Sequence, residues 1–197
     1  DDNSGISVAI DSTGSRIAVG ATGNDGDGTD TGHVRVYKQT ASGWSQLGAD
    51  INGPEDYAWS GTSVSLNDAG DIVAIGCVGS DSSRGSVAVY TYNQPLDAWQ
   101  QLGEYLTGEF EGDYFGTSVS LNSAGDTLVI GSDMTNQSGS VVVYSWVDGA
   151  WSQIGDSIDG VDGSQLGSSV ALNDTGNRIV IGSPGMGEEQ TGSTRVY

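Results

Sequence analysis

Cysteine, histidine and positive charge are all scarce in this sequence. Its 197 residues include one Cys, one His, six Lys and Arg together, three Pro and two Phe. A single thiol excludes an internal disulfide framework. Cys77 follows Ile75 and Gly76 in a strand-like run and reads as a small buried apolar residue rather than a reactive nucleophile. With one histidine and one cysteine no convincing catalytic triad can be assembled. His33 stands where the sister repeats carry Ser86, Ser140 and Ser193, and is expected to be a variable loop-edge residue. Six cations against 26 acids give a net charge of −20, which leaves nothing to neutralise nucleic-acid phosphates or to dock on an anionic membrane. No run approaches the roughly 18 apolar residues of a membrane span. No leader pattern is visible, although secretion would have removed one. Helical periodicity is missing throughout.

Glycine and acid are what the chain has in abundance. Its 32 glycines, with no triplet period, fit many tight turns between short strands. Four segments align: SGISVAIDSTGSRIAVGA from Ser4, SGTSVSLNDAGDIVAIGC from Ser60, FGTSVSLNSAGDTLVIGS from Phe115 and LGSSVALNDTGNRIVIGS from Leu166. Their leading glycines, Gly5, Gly61, Gly116 and Gly167, stand 56, 55 and 51 residues apart. Each segment is followed by a strand ending in tyrosine, at Tyr37, Tyr90, Tyr144 and Tyr197. Three then carry a tryptophan motif, WSQLG from Trp44, WQQLG from Trp99 and WSQIG from Trp151.

Every repeat thus supplies strands A (SVSL), B (IVAIG), C (GSVAVY) and D (WxQLG). Strand A alternates, with Val64 and Leu66 on one face and Ser63 and Ser65 on the other, which is the period of a strand. Turns such as NDAGD between A and B place Asx and glycine where a tight hairpin needs positive φ. Four antiparallel strands recurring at about 50 residues mark β-propeller blades. The expected fold is all-β, one propeller portion over residues 1–197, with repeats at about 4–53, 60–108, 115–160 and 166–197. The fourth lacks strand D, giving fifteen strands. The tryptophans Trp44, Trp99 and Trp151 and the four repeat tyrosines are expected to pack between blades. The uncovered C strand of repeat four, a hazardous edge, suggests that the sequence is an excerpt of a longer chain or that a neighbouring subunit donates the missing strand.

Phe115-Gly116, the strand ending Ile-Gly-Ser and the following GSVVVY resemble the FG-GAP repeat of integrin α-subunit propellers and their relatives. The resemblance extends over essentially the whole chain and implies a propeller, typically of seven blades, used in adhesion receptors and lectin-like proteins. Only the third repeat keeps the literal Phe-Gly. The calcium loop that such repeats carry between strands A and B is missing, because the A–B turns here are too short to wrap a cation.

Candidate sites are few. In the B–C loop of repeat one, Asn24, Asp25, Asp27 and Asp30 alternate with glycine, a pattern suited to calcium because oxygen ligands need a backbone that can curl round the ion. A flexible solvated loop is the plain alternative. The D–A connections carry Glu55 and Asp56, then Glu109, Glu111 and Asp113, then Asp159 and Asp162, which suggests a negative collar on one rim. Asn136 and Asn173 head N-glycosylation sequons; Asn173 also occupies an A–B turn and reads equally as a turn residue. Tyr57, Trp59, Tyr114 and Trp146 lie outside the repeat's packing positions and are not equivalent between blades.

The leading expectation is a non-catalytic extracellular or cell-surface propeller acting in adhesion or assembly, through a protein ligand or self-assembly, without nucleic acid or membrane insertion. A lectin-like, glycan-binding propeller is the alternative. An enzyme acting on polysaccharides ranks last, since 26 acids bring some carboxylates together by chance.

Overall fold

The computed structural model of the chain describes residues 2–134, 138–185 and 192–197. It is all-β, with four antiparallel sheets forming a four-bladed β-propeller whose last blade has three strands. Blade 1 contains β1 (Ser4–Ile10), β2 (Arg16–Ala21), β3 (His33–Thr40), β4 (Gly43–Gln46) and β5 (Ile51–Asn52). Blade 2 contains β6 (Ser60–Leu66), β7 (Ile72–Cys77), β8 (Ser86–Asn93), β9 (Ala98–Gln101) and β10 (Leu106–Thr107). Blade 3 runs through β11 (Ser118–Leu121), β12 (Thr127–Ser132), β13 (Ser140–Val147), β14 (Ala150–Gln153) and β15 (Ile158–Asp159), and blade 4 through β16 (Ser169–Leu172), β17 (Ile179–Ser183) and β18 (Ser193–Val196). Where the sequence suggests one outer strand per blade, the structure breaks it in two. The long third strand pairs first with β4, β9 or β14 and then with β5, β10 or β15. The break falls at the Leu-Gly of the tryptophan motif, where Gly48 and Gly103 adopt φ +74° and +84°. Outside the strands, Asp81–Ser83 forms a turn at positive φ and Gln94–Leu96 a short 3₁₀ turn.

Both faces of the central strands of blades 2 and 3 are apolar because each faces a different neighbour. Val73 and Ile75 of β7 pack toward blade 1, while Ala74 between them joins the core with blade 3. Leu128 and Ile130 likewise face blade 2, and Val129 faces blade 4. All six are essentially fully buried, each large side chain contributing about 1.5–3 kcal/mol. The Phe of the Phe-Gly pair, Phe115, and its counterpart Leu166 lie in these interblade cores at 5% and 0% exposure.

The polar face of strand A has a specific task. Ser7, Ser63 and Ser118 donate their hydroxyls to the carbonyls of Gly61, Gly116 and Gly167 in the next blade, at 2.6, 2.6 and 2.7 Å. The strand B glycines, Gly20, Gly76 and Gly131, leave room for those same carbonyls, with which a Cβ would collide. At the opposite end, the Ser12, Asp68 and Ser123 amides donate to the carbonyls of Asp68, Ser123 and Asp174, linking successive A–B turns. Within each turn one side chain locks the hairpin. Asn67 Oδ1 accepts from the Asp71 and Ile72 amides at 3.0 and 2.9 Å, and Asn122, Asn173 and Asp11 repeat the arrangement.

The end blades correct two packing expectations. Trp44 and Tyr197 are 48% and 51% exposed, whereas Trp99 and Trp151 are half-buried against the preceding blade. Trp44 is left uncovered because no described residue packs on that side of blade 1. Trp146 is corrected the other way: it packs edge-on against Trp151 at 5.5 Å and lies over Gly103. His33 is not a loop-edge residue but the buried first residue of β3, 3% exposed and paired with Asn52. Its Nδ1 has no hydrogen-bond partner among the described residues. Burial and the nearby Arg35 hold its pKa below the ordinary imidazole value, so the ring is neutral at physiological pH. Cys77 is buried, and burial raises its thiol to about 11, consistent with an inert packing residue.

Candidate functional site

Antiparallel blades place all B–C loops and D–A connections at one end of the propeller, and it is there that charge and exposed aromatics gather. Of the six basic residues only Arg84 belongs to these connections, and it is paired with Asp81 at 2.7 Å. The two kinds of loop are stitched together. The Thr29 amide donates to Asp56 at 3.1 Å, the Asp81 amide to Glu55 at 2.7 Å, and Arg84 to the Glu109 carbonyl at 2.7 Å. Asp113 is buried and accepts from the Phe110 amide at 2.8 Å. The expected negative collar is therefore a hydrogen-bonded rim, with some of its carboxylates committed to backbone amides.

Trp59 lies between two clefts of this rim. Its backbone is left-handed at φ +52°, and its ring lies against Gly79, where a Cβ would approach within 3.1 Å. On one side is a cleft of about 410 Å³ lined by Glu55, Asp56, Tyr57, Asp81 and Ser82. On the other is one of about 360 Å³ bordered by Asn3, Ile6, Asp30 and Thr62. Tyr57 and Phe110 add further exposed rings, at 55% and 50%. The sequence reading treats Trp59 and Tyr114 as inequivalent; the structure corrects this. Both precede the glycine-led pair by one residue, both are left-handed, and both accept from the amide three residues on. Asn3 and Gln165 hold the same position in blades 1 and 4. The alignment of the four repeats carried that signal, one residue before its first aligned position. Phe110 gave no such signal.

A third cleft, about 440 Å³, opens between blades 2 and 3 and is lined by Glu109, Asp113, Ser140, Tyr144, Gln153, Ser157 and Asp159. In blade 2 the place of Ser157 is taken by Tyr105, which fills the space beside Tyr90, hydroxyl to hydroxyl at 3.4 Å. Burial raises the Tyr144 phenol above its ordinary pKa, so it remains a hydrogen-bond donor. Asp159 accepts from the Ser140 hydroxyl at 3.0 Å.

In the loop suggested for calcium the polar side chains make local hydrogen bonds. Asn24 Oδ1 accepts from the Gly26 amide at 2.9 Å, Asp25 Oδ1 from the Asp30 amide at 2.8 Å, and Asp27 from the Asn52 side chain. Among the described residues no three His, Cys, Asp or Glu side chains come together as a cation would require. Asn173 keeps its side chain in the turn, its Nδ2 donating to Thr175 and Asn177 at 3.0 Å each. Asn136 lies outside the described residues.

No protein-family model matches the chain, and no curated protein matches it. Among solved structures it is similar to TolB from Acinetobacter baumannii at 10% identity, covering 96% of this chain and 40% of that one, with TM-score 0.55. It is similar to the periplasmic gluconolactonase PpgL of Pseudomonas aeruginosa at 15% identity, 91% and 50% coverage and TM-score 0.58. The C-terminal WD40 domain of Sif2 matches at 14% identity, 98% and 46% coverage and TM-score 0.57. The likeness is one of fold. The chain spans half or less of the length of these structures. Among the described residues no helix is long and apolar enough to cross a membrane.

Proposed function

We propose that the chain is a non-catalytic, extracellular or cell-surface propeller module of FG-GAP type, used in adhesion or assembly, that binds a protein through the rim at Trp59. The observation that carries this reading is the pairing of exposed rings, Tyr57, Trp59 and Phe110, with carboxylates that have one local cation, Arg84, already engaged by Asp81. Aromatic anchors within a charged rim suit a protein partner, and the charge selects one with a basic surface. The propeller fold supports a binding role because its loops converge at one end on a rigid scaffold.

The test is an array of immobilised extracellular proteins and glycans probed with the chain and with Trp59→Ala. Binding to basic proteins that weakens with salt and falls at least tenfold in the variant is expected. Binding to glycans alone would overturn it.

A glycan-binding role is the second reading, favoured by the cleft at Tyr144, Gln153 and Asp159, whose mixture of carboxylate, amide and phenol suits sugar hydroxyls. At the interface of blades 1 and 2 Tyr105 stands in the corresponding place, beside Tyr90. Retention of a glycan lost on Gln153→Ala but not on Trp59→Ala would select it.

A further inference from the structure

The interface between blades 2 and 3 differs from that between blades 1 and 2 at a group of positions where blade packing does not require a difference. Tyr144 pairs with Gln153 beside the cleft of about 440 Å³, as Tyr90 pairs with Gln101 one blade earlier. Around this shared frame the lining changes. Glu109, Asp113 and Asp159 stand where the other interface has Pro54, Ala58 and Thr107. Ser157 stands in the place of Tyr105, so the space that Tyr105 takes beside Tyr90 is open beside Tyr144. Both interfaces nevertheless bury equivalent apolar cores, with Val73 and Ile75 in one and Leu128 and Ile130 in the other. The acids and the opening are additions to the packing, not conditions for it.

Among the described residues these three carboxylates have no cation. Arg84 and Arg195 donate instead to the backbone carbonyls of Glu109 and Asp159, at 2.7 and 3.4 Å, and no basic residue lines the cleft. Asp113 carries the most weight. It is 4% exposed, its Oδ2 accepts from the Phe110 amide, and its Oδ1 has no hydrogen-bond partner among the described residues. A carboxylate so far withdrawn from water costs free energy unless a donor or a cation meets it. Its fully buried counterpart Ala58 shows that the fold accepts an apolar group there. The Tyr144 hydroxyl also lacks a partner among the described residues, whereas the Tyr90 hydroxyl has that of Tyr105.

We infer that this cleft binds a sugar bearing a free amino group, its ammonium meeting Asp113 in the field of Glu109 and Asp159 and its hydroxyls meeting Tyr144 and Gln153. This rests on the glycan reading of the cleft, names the class of sugar, and is independent of a protein held at the rim. An ammonium offsets the buried carboxylate through charge-assisted hydrogen bonds. A neutral sugar lacks that charge, and an acidic sugar would be repelled. A bare metal ion does not fit, because among the described residues no three such ligands come together. A simple amine would leave the phenol and the amide without a use. The volume lies in the range of small-ligand sites.

Isothermal titration at about pH 6, where an amine is charged, and in about 0.15 M salt tests this. The probes are the trisaccharide of β-1,4-linked glucosamine, its fully N-acetylated form, and spermidine. The glucosamine trisaccharide is expected to bind about tenfold tighter than either of the others. Asp113→Asn keeps an acceptor for the Phe110 amide while removing the charge, and should erase the preference over the N-acetylated form. Ser157→Tyr, which copies Tyr105, should abolish binding. Far-UV spectra check that both variants fold; if Ser157→Tyr does not, Asp113→Asn decides alone. Equal or tighter binding of the N-acetylated sugar would overturn the inference and leave the glycan reading in place. No binding of either sugar would overturn both. Spermidine binding as tightly, or glucosamine binding unaffected by Asp113→Asn, would assign the effect to the overall charge of −20 and overturn the inference.

Discussion

The indole nitrogen of Trp99 donates a hydrogen bond of 2.8 Å to the carbonyl of Leu47 in the preceding blade, its ring resting 3.0 Å from where a Gly48 Cβ would stand. Trp151 repeats the contact on Leu102 and Gly103, at 3.0 Å. One five-residue motif is therefore both knob and seat: its tryptophan reaches back and its Leu-Gly receives the tryptophan that follows. Trp99→Ala should cost about 3 kcal/mol by loss of ring burial and of the hydrogen bond. Trp44→Ala, with no seat beneath it, should cost less than about 1 kcal/mol. Urea denaturation of the two variants measures the difference; equal losses would contradict the asymmetry.

Gly76→Ala drives a Cβ into the Gly116 carbonyl, a backbone atom that cannot step aside without separating blades 2 and 3. A loss of about 3 kcal/mol is expected. The same change at Gly182 meets only the Ser169 side chain, which can rotate, and should be nearly neutral for folding. Thermal melts of both variants decide it.

Replacing Asn122 by Ala leaves the Asp126 and Thr127 amides without their acceptor and should cost about 1–2 kcal/mol. Asn173→Ala should cost a similar amount, because its hydrogen bonds are the same. If the chain is made in a glycosylating host, intact-mass analysis should find any glycan at Asn136 and none at Asn173, whose amide nitrogen is committed to the turn.

Asp50 receives the forked guanidinium of Arg35 at 2.9 and 2.7 Å, with a further hydrogen bond from Gln46, and its carboxyl is held down to about 2 from 3.8. A folded pKa below the unfolded one means the ionised pair contributes stability above about pH 4, and that contribution is lost as pH falls toward 2. Both side chains are partly exposed, at 40% and 30%, so the pair is worth about 1 kcal/mol. Arg35→Met should lower stability by that amount at pH 7 and by much less at pH 2. Denaturation across this range reads it, and a pH-independent deficit would refute the linkage.

Because Asn24, Asp25 and Asp27 are engaged in hydrogen bonds around their own loop, removing calcium with EDTA should leave the melting temperature within about 1 °C. A rise of several degrees on adding millimolar calcium, abolished by Asp25→Asn, would show that the loop rearranges to take the ion.

The repeat and its alternation were open to reading in one dimension because a strand's period is local: Val64 and Leu66 against Ser63 and Ser65 need no partner to be recognised. The same is true of the A–B turns, where Asn67 and Gly70 announce the hairpin by their own chemistry. The serine face could be called small but not assigned a bond, since its acceptors lie in the next blade. Trp146 was misjudged for a related reason. Whether a ring packs or projects depends on what the preceding blade puts beside it, and Gly103 does that here.

Sequence alone determined an all-β chain of repeating blades, with Asx and glycine in its tight turns and acid in its loops, because propensity, periodicity and turn chemistry act over a few neighbouring residues. Only the tertiary structure decided which copy of each motif is mated. Val8 and Val119 are the same residue in the same strand position, yet one is 69% and the other 8% exposed. The difference lies wholly in whether another blade stands against them.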